Sequence, residues 1–98
     1  MMDILVKELN AMDQISIRTQ NSEYKFQVIN PAQCRGFISG GSLGNKQYEA
    51  ILTATMKDRV GCLSNKLETG ACALFYVSIK ETLRLLTTSV ITDLSLAH

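Results

Sequence analysis

The side chains able to do chemistry in this chain are three cysteines, one histidine and nine carboxylates, and their spacing keeps them apart. Cys34, Cys62 and Cys72 form no C-x-x-C pair, and a closed zinc site needs four ligands. The single histidine, His98, is the last residue. A nucleophilic Ser or Cys needs a positioned base beside it, and a terminal histidine is badly placed to supply one. Asp3, Glu8, Asp13, Glu23, Glu49, Asp58, Glu68, Glu81 and Asp93 are scattered through turns and polar strand positions, where solvated charge accounts for them. An acid–base pair would need two of them buried side by side. The expectation is no catalytic residue, no metal site and no cofactor. The thiols read as reduced, two on apolar strands and one in a loop, and a free cysteine behaves as a small buried hydrophobe. Reduced thiols point to the cytoplasm.

Three further patterns carry a binding reading beside a structural one. Gly40-Gly41-Ser42-Leu43-Gly44-Asn45-Lys46 has the flavour of a phosphate loop, but Asn45 stands where the second glycine of G-x-x-x-x-G-K belongs. A phosphate loop also opens a helix, whereas Gln47 and Tyr48 open a strand. A flexible turn is the structural reading, and a backbone-amide anion site with Lys46 nearby is the binding one. Asn21-Ser22 reads as a hairpin turn, since Asn tolerates positive φ and Ser bonds to nearby backbone. Arg18, Lys25 and Arg35 come from three successive strands, interleaved with Tyr24, Phe26 and Phe37. A basic face with aromatic platforms binds single-stranded nucleic acid. Period 2, however, puts Tyr24 and Phe26 on the face opposite Lys25, so basic residues outside mean aromatics inside.

The elements that must position these residues follow from the apolar pattern. Ile4, Leu5, Leu9 and Met12 fall at helical spacing behind Asp3, which predicts a short amphipathic helix over 3–11. Such a helix is too short to stand alone and must dock on the domain or on a partner. From Gln14 the period becomes 2. Ile15, Ile17 and Thr19, then Tyr24, Phe26 and Val28, predict a hairpin ended by Asn30-Pro31. A third strand is centred on Phe37 and Ile38. A fourth runs from Tyr48 to Met56, with Tyr48, Ala50, Leu52, Ala54 and Met56 on one face and Glu49, Thr53, Thr55 and Lys57 toward water. Asp58 to Thr69 reads as a connecting loop with room for one helical turn. Ala71 to Ile79 is an uncharged strand, apolar on both sides, which calls for cover on both faces. Lys80-Glu81 turns into a sixth strand, Leu83 to Ile91.

Ninety-eight residues suffice for one domain. With 46% apolar and 19% charged residues the chain has a globular balance. The fold expected is all-β: a small six-stranded barrel or sandwich over 14–94 with a short N-terminal helix, one domain over 1–98. The first twelve residues carry Asp3, Lys7 and Glu8 and do not read as a signal peptide. No apolar run approaches the length of a membrane span. The net charge of +1 lacks the basic excess of a protein that works mainly through phosphate contacts.

Thr19-Gln20-Asn21-Ser22-Glu23-Tyr24, Gly40-Gly41, Leu67-Glu68-Thr69-Gly70 and Thr88-Ser89-Val90, in that order, resemble a set of short bacterial proteins that share a T-x-N-S-x-Y hairpin. The resemblance spans about residues 14–94. This chain departs from the pattern at Gln20, where a basic residue is expected, and by lacking a proline between Ser89 and Val90. The resemblance implies a compact β fold and carries no function.

The function expected from these observations is a non-catalytic interaction module that self-associates or binds a protein partner. Ile4, Leu5, Leu9, Leu74 and Tyr76 are the residues expected at that contact, because the helix and the doubly apolar strand both need a covering surface. A nucleic-acid-binding barrel using Arg18, Lys25, Arg35 and Lys46 is the first alternative. A small-molecule binder or an enzyme of unrecognised type, with the Gly40–Lys46 loop as rim, is the second.

Overall fold

Alternation of buried and exposed residues organises nearly every segment of the computed structural model, which describes residues 3–57, 60–62 and 66–97, with residues 60–62 as backbone alone. The strands are β1 (Asp3–Leu5), β2 (Gln14–Thr19), β3 (Glu23–Asn30), β4 (Arg35–Gly40), β5 (Tyr48–Lys57), β6 (Val60–Cys62), β7 (Lys66–Glu68), β8 (Cys72–Ile79), β9 (Thr82–Thr87) and β10 (Ile91–Ala97). β1 and β7 form a two-stranded sheet, and the main sheet runs β10-β2-β3-β4-β5-β8-β9, with β6 added to β5. All described pairings are antiparallel. The all-β expectation holds.

The main sheet curls round one core. Ile15, Ile17, Phe26, Val28, Ile38, Ala50, Leu52, Ala73, Phe75, Val77 and Leu94 all point inward. The rings of Phe26 and Phe75 meet at 5.2 Å between centroids, tilted by 53°. Their strands, β3 and β8, lie three places apart in the sheet, so only strong curvature can bring them together. Gly36 helps: a Cβ there would run into the Gln27 carbonyl and the Phe26 ring. No ladder joins the ends β9 and β10, so the sheet stays open and does not close into the expected barrel. Residues 88–91 stitch the gap instead. Thr88 and Ile91 donate backbone bonds to Ala73 and Ala71, each at 2.9 Å, and Gln20 donates to Val90 at 3.0 Å.

Four details correct the sequence reading. Residues 3–11 do not form a helix: Asp3–Leu5 is a strand and Val6–Glu8 a 3₁₀ turn. Burial alternates as Ile4 in, Leu5 out, Val6 in, and Ile4 pairs with Leu67 on β7. A segment this short takes its conformation from the ladder on offer and not from its own helical spacing. In β5 the register shifts between Leu52 and Ala54. The extra residue of this bulge swaps the faces, so Thr55 is buried while Ala54 and Met56 turn outward with Leu74 and Cys72. The stretch from Asp58 to Thr69 contains β6 and β7 rather than only a loop. Asp58, Arg59, residues 63–65 and His98 lie outside the described residues, and so does the helical turn considered there. The last expected strand, Leu83 to Ile91, is divided between β9 and the start of β10.

Candidate functional site

The outer face of the sheet divides into two chemically different halves. On β8, Ala73, Phe75 and Val77 face the core, so Cys72, Leu74, Tyr76 and Ser78 face out. Cross-strand pairing then sets Ile51 opposite Tyr76, and Tyr76 opposite Leu85. Leu83 and Leu85 share this face on β9. Ile51 is 40% exposed, Tyr76 44%, Leu85 54% and Leu83 67%. Half-buried Leu74, Met56 and Ala54 continue the surface toward the other end of the strands. Burying one such large side chain fully stabilises by about 1.5–3 kcal/mol relative to leaving it wet.

Of the five residues expected at a contact, Leu74 and Tyr76 lie on this face. Ile4 is committed to the core against Leu67. Leu9 is half-buried and packed on the core, and Leu5 is exposed on the β1–β7 pair. Sequence reasoning missed Ile51, Leu83 and Leu85. A signal existed for two of them: in Thr82-Leu83-Arg84-Leu85-Leu86-Thr87, period 2 separates Leu83 and Leu85 from Leu86. Leu86 is the one that packs on the core.

The other half of the outer face is mainly polar, although Phe37 and the 40% exposed Ile29 also lie on its strands. Asp93, Arg18 and Glu23 form one cross-strand row; Ser95, Ser16, Lys25 and Ser39 form the next. Arg18 meets Glu23 at 4.0 Å and Arg35 meets Glu49 at 3.0 Å. Each guanidinium therefore already has a carboxylate beside it. Tyr24 and Phe26 are buried, as the alternation requires, and Phe37 is half-buried beside Glu49 on the outer side. Lys46 is exposed in the loop that precedes β5. Two open hollows lie here. One of about 310 Å³ is lined by Ile29, Asn30, Arg35, Gly36, Phe37 and Glu49. The other, about 470 Å³, is lined by Glu23, Lys25, Ser39, Gly40, Gly44 and Asn45.

The sequence motifs converge on an architectural clasp. Ser22 donates its backbone N–H to Thr19 Oγ1 at 3.0 Å, and Thr19 Oγ1 donates to the Ser22 carbonyl at the same distance. Ser89 Oγ donates to Thr19 Oγ1 at 2.8 Å and accepts from the Asn21 N–H at 3.3 Å. Thr88 Oγ1 accepts from the buried Ala73 N–H at 2.9 Å. The first hairpin and the β9–β10 connection are thereby tied together. Asn21 keeps a negative φ, and the hydroxyls of Thr19 and Ser89 bond to the backbone of this turn. The Tyr24 ring lies against Gly41, where a Cβ would collide with it. Gly70 donates to the Ile91 carbonyl at 2.8 Å.

The thiols take separate environments. Cys34 is buried at a left-handed backbone position (φ 54°), and Cys72 is half-buried on the outer face. Burial pushes the Cys34 thiol pKa up, and Lys7 pulls it partly back. Among the described residues no group of three His, Cys, Asp or Glu is placed to hold a metal ion. No described helix is long and apolar enough to cross a membrane. Comparison with known proteins returns no matching family model, no matching curated protein and no matching solved structure.

Proposed function

We propose that this chain is a non-catalytic interaction module of the cytoplasm that self-associates through the apolar surface of β5, β8 and β9. One observation carries the reading: Ile51, Tyr76 and Leu85 stand in a single cross-strand row, with Leu83 beside them, all substantially exposed. The inner sides of the same strands already bury Leu52, Ala73, Phe75 and Val77, so the outer apolar residues do not serve the core. Covering them with an equivalent surface removes apolar area from water in both partners at once.

Sedimentation velocity of the full chain over a wide concentration range tests the reading. The wild type is expected to pass from monomer to dimer as concentration rises. The variant Leu83→Lys with Leu85→Lys is expected to stay folded and monomeric, whereas Lys25→Glu on the polar half should associate like the wild type. A wild type that stays monomeric at the highest concentration overturns the proposal.

A further inference from the structure

The two ends of the main sheet differ in how they are guarded. β10 carries a bulge between Ile91 and Asp93 and presents Asp93, Ser95 and Thr92. Bulges and charges are the usual protection of an edge strand. β9 has neither an interruption in its register with β8 nor any charge except Arg84, and nearly all of its residues are exposed.

The direction of the edge's free backbone groups can be read from one bond. Thr88 donates its N–H to the Ala73 carbonyl in register with the β8–β9 ladder, so position 88 turns its N–H toward β8, while the Ala73 N–H goes to Thr88 Oγ1. Antiparallel pairs alternate between bonded and non-bonded. Leu74/Thr87, Tyr76/Leu85 and Ser78/Leu83 are therefore non-bonded pairs. The Lys80-Glu81 turn, with φ of 50° and 65°, agrees: a two-residue turn of this hand is flanked by a bonded pair, here Ile79/Thr82. Leu83, Leu85 and Thr87 thus aim their N–H and C=O groups away from β8, toward solvent. None of the turn and loop backbone bonds among the described residues uses these three.

We infer that β9 pairs antiparallel with β9 of a second copy, about a two-fold axis at Leu85, joining two sheets edge to edge. This concerns the edge of the self-associating surface proposed above and rests on that reading: strand pairing covers the flanks of Leu83 and Leu85, while Ile51 and Tyr76 stay on the outer face of the joined sheet. Two-fold pairing keeps like faces together, so only a few registers exist. Placing the axis at Arg84 sets two guanidinium groups directly opposite each other, which like-charge repulsion disfavours. An axis at Leu83 runs the Lys80-Glu81 turn into the partner and shortens the ladder. The axis at Leu85 spans residues 83–87 and leaves the Lys80-Glu81 turn outside the ladder. It pairs Leu85 with the partner's Leu85 and Leu83 with the partner's Thr87, and sets Arg84 against the partner's Leu86. Each outward-facing residue then makes the two bonds of a bonded pair, and the leucines cover one another's flanks.

Replacing Thr87 tests the geometry without touching the leucines. Thr87→Pro removes an outward N–H that β8 does not use, a position where an edge strand tolerates proline. Thr87→Val keeps the N–H. Sedimentation velocity should show dimerisation weakened at least about tenfold by Thr87→Pro and unchanged by Thr87→Val. Amide hydrogen exchange of the wild type should slow at Leu83, Leu85 and Thr87 as concentration rises, and this measurement decides the matter if Thr87→Pro does not fold. A wild-type dimer that survives Thr87→Pro and leaves these amides unprotected overturns the edge geometry while leaving self-association standing. A monomeric wild type overturns both.

Discussion

On one half of the outer face β10, β2 and β3 present Asp93, Ser16, Arg18, Lys25 and Gln27, while on the other half β5, β8 and β9 present Ile51, Tyr76, Leu83 and Leu85. Both halves enclose the same core, and Phe26 from the first touches Phe75 from the second. The polar half is complete as it stands. Its arginines meet carboxylates, its hairpin is closed by Thr19 and Ser22, and its edge strand is bulged. The apolar half has an inner side as well packed and an outer side left wet. Its hairpin turns through Lys80 and Glu81, both at positive φ, a conformation disfavoured for residues other than glycine or asparagine. Core formation therefore does not explain the apolar outer residues, and the self-association proposed above is the reading offered for them.

The largest effect that separates inner from outer lies within β8 itself. Phe75→Ala should destabilise by about 3–5 kcal/mol in urea unfolding, as loss of a buried aromatic does. Tyr76→Ser, one residue on, should change monomer stability by no more than about 0.5 kcal/mol. A comparable loss at both positions would mean that the outer face is covered within the monomer. Next in size, Thr88→Val strips the acceptor from the buried Ala73 N–H and should cost about 1–3 kcal/mol. Since Thr88 and Ser89 bind the apolar half to the first hairpin, hydrogen exchange at Gln20 and Ala73 should rise together in this variant.

A double-mutant cycle of Arg35→Ala and Glu49→Ala probes the polar half. This exposed pair should couple by less than about 1 kcal/mol, and a larger value would make the polar half a structural network in its own right. The smallest effect concerns the thiols. Burial raises the Cys34 pKa above its ordinary value, so the folded state holds this proton more tightly than the unfolded chain. The stability this confers is complete below the unfolded thiol range, about 8.5, and is lost as pH climbs through the higher folded value. Alkaline unfolding curves of the wild type should fall more steeply than those of Cys34→Ala. At neutral pH a maleimide should label Cys72, on the apolar face, before Cys34.

Much of the polar half was legible residue by residue. Ile15, Ile17, Tyr24, Phe26 and Val28 fall inside by alternation alone, and Tyr24 and Phe26 could not share a face with Lys25. The candidate face was only half legible. Leu74 and Tyr76 stand out because β8 is apolar on both sides. Ile51 and Leu85 become their neighbours only through cross-strand register, which links residues far apart in the chain. Ile4, Leu5 and Leu9 misled for the opposite reason: their helical spacing is real, but pairing with Leu67 overrode it. The bulge in β5 was hidden too, since an extra residue in a ladder leaves no mark on an alternating sequence until the partner strand is known.

The sequence by itself determined that this chain is all-β and which residues of β2 and β3 face the core. Those properties depend on side-chain period and composition, which are local. Only the tertiary structure decided that the sheet stays open, that β9 is an unguarded edge, and that four exposed apolar residues from three strands lie together. Those depend on which strands pair and in what register, and pairing is set by the packing of the whole chain round Phe26 and Phe75.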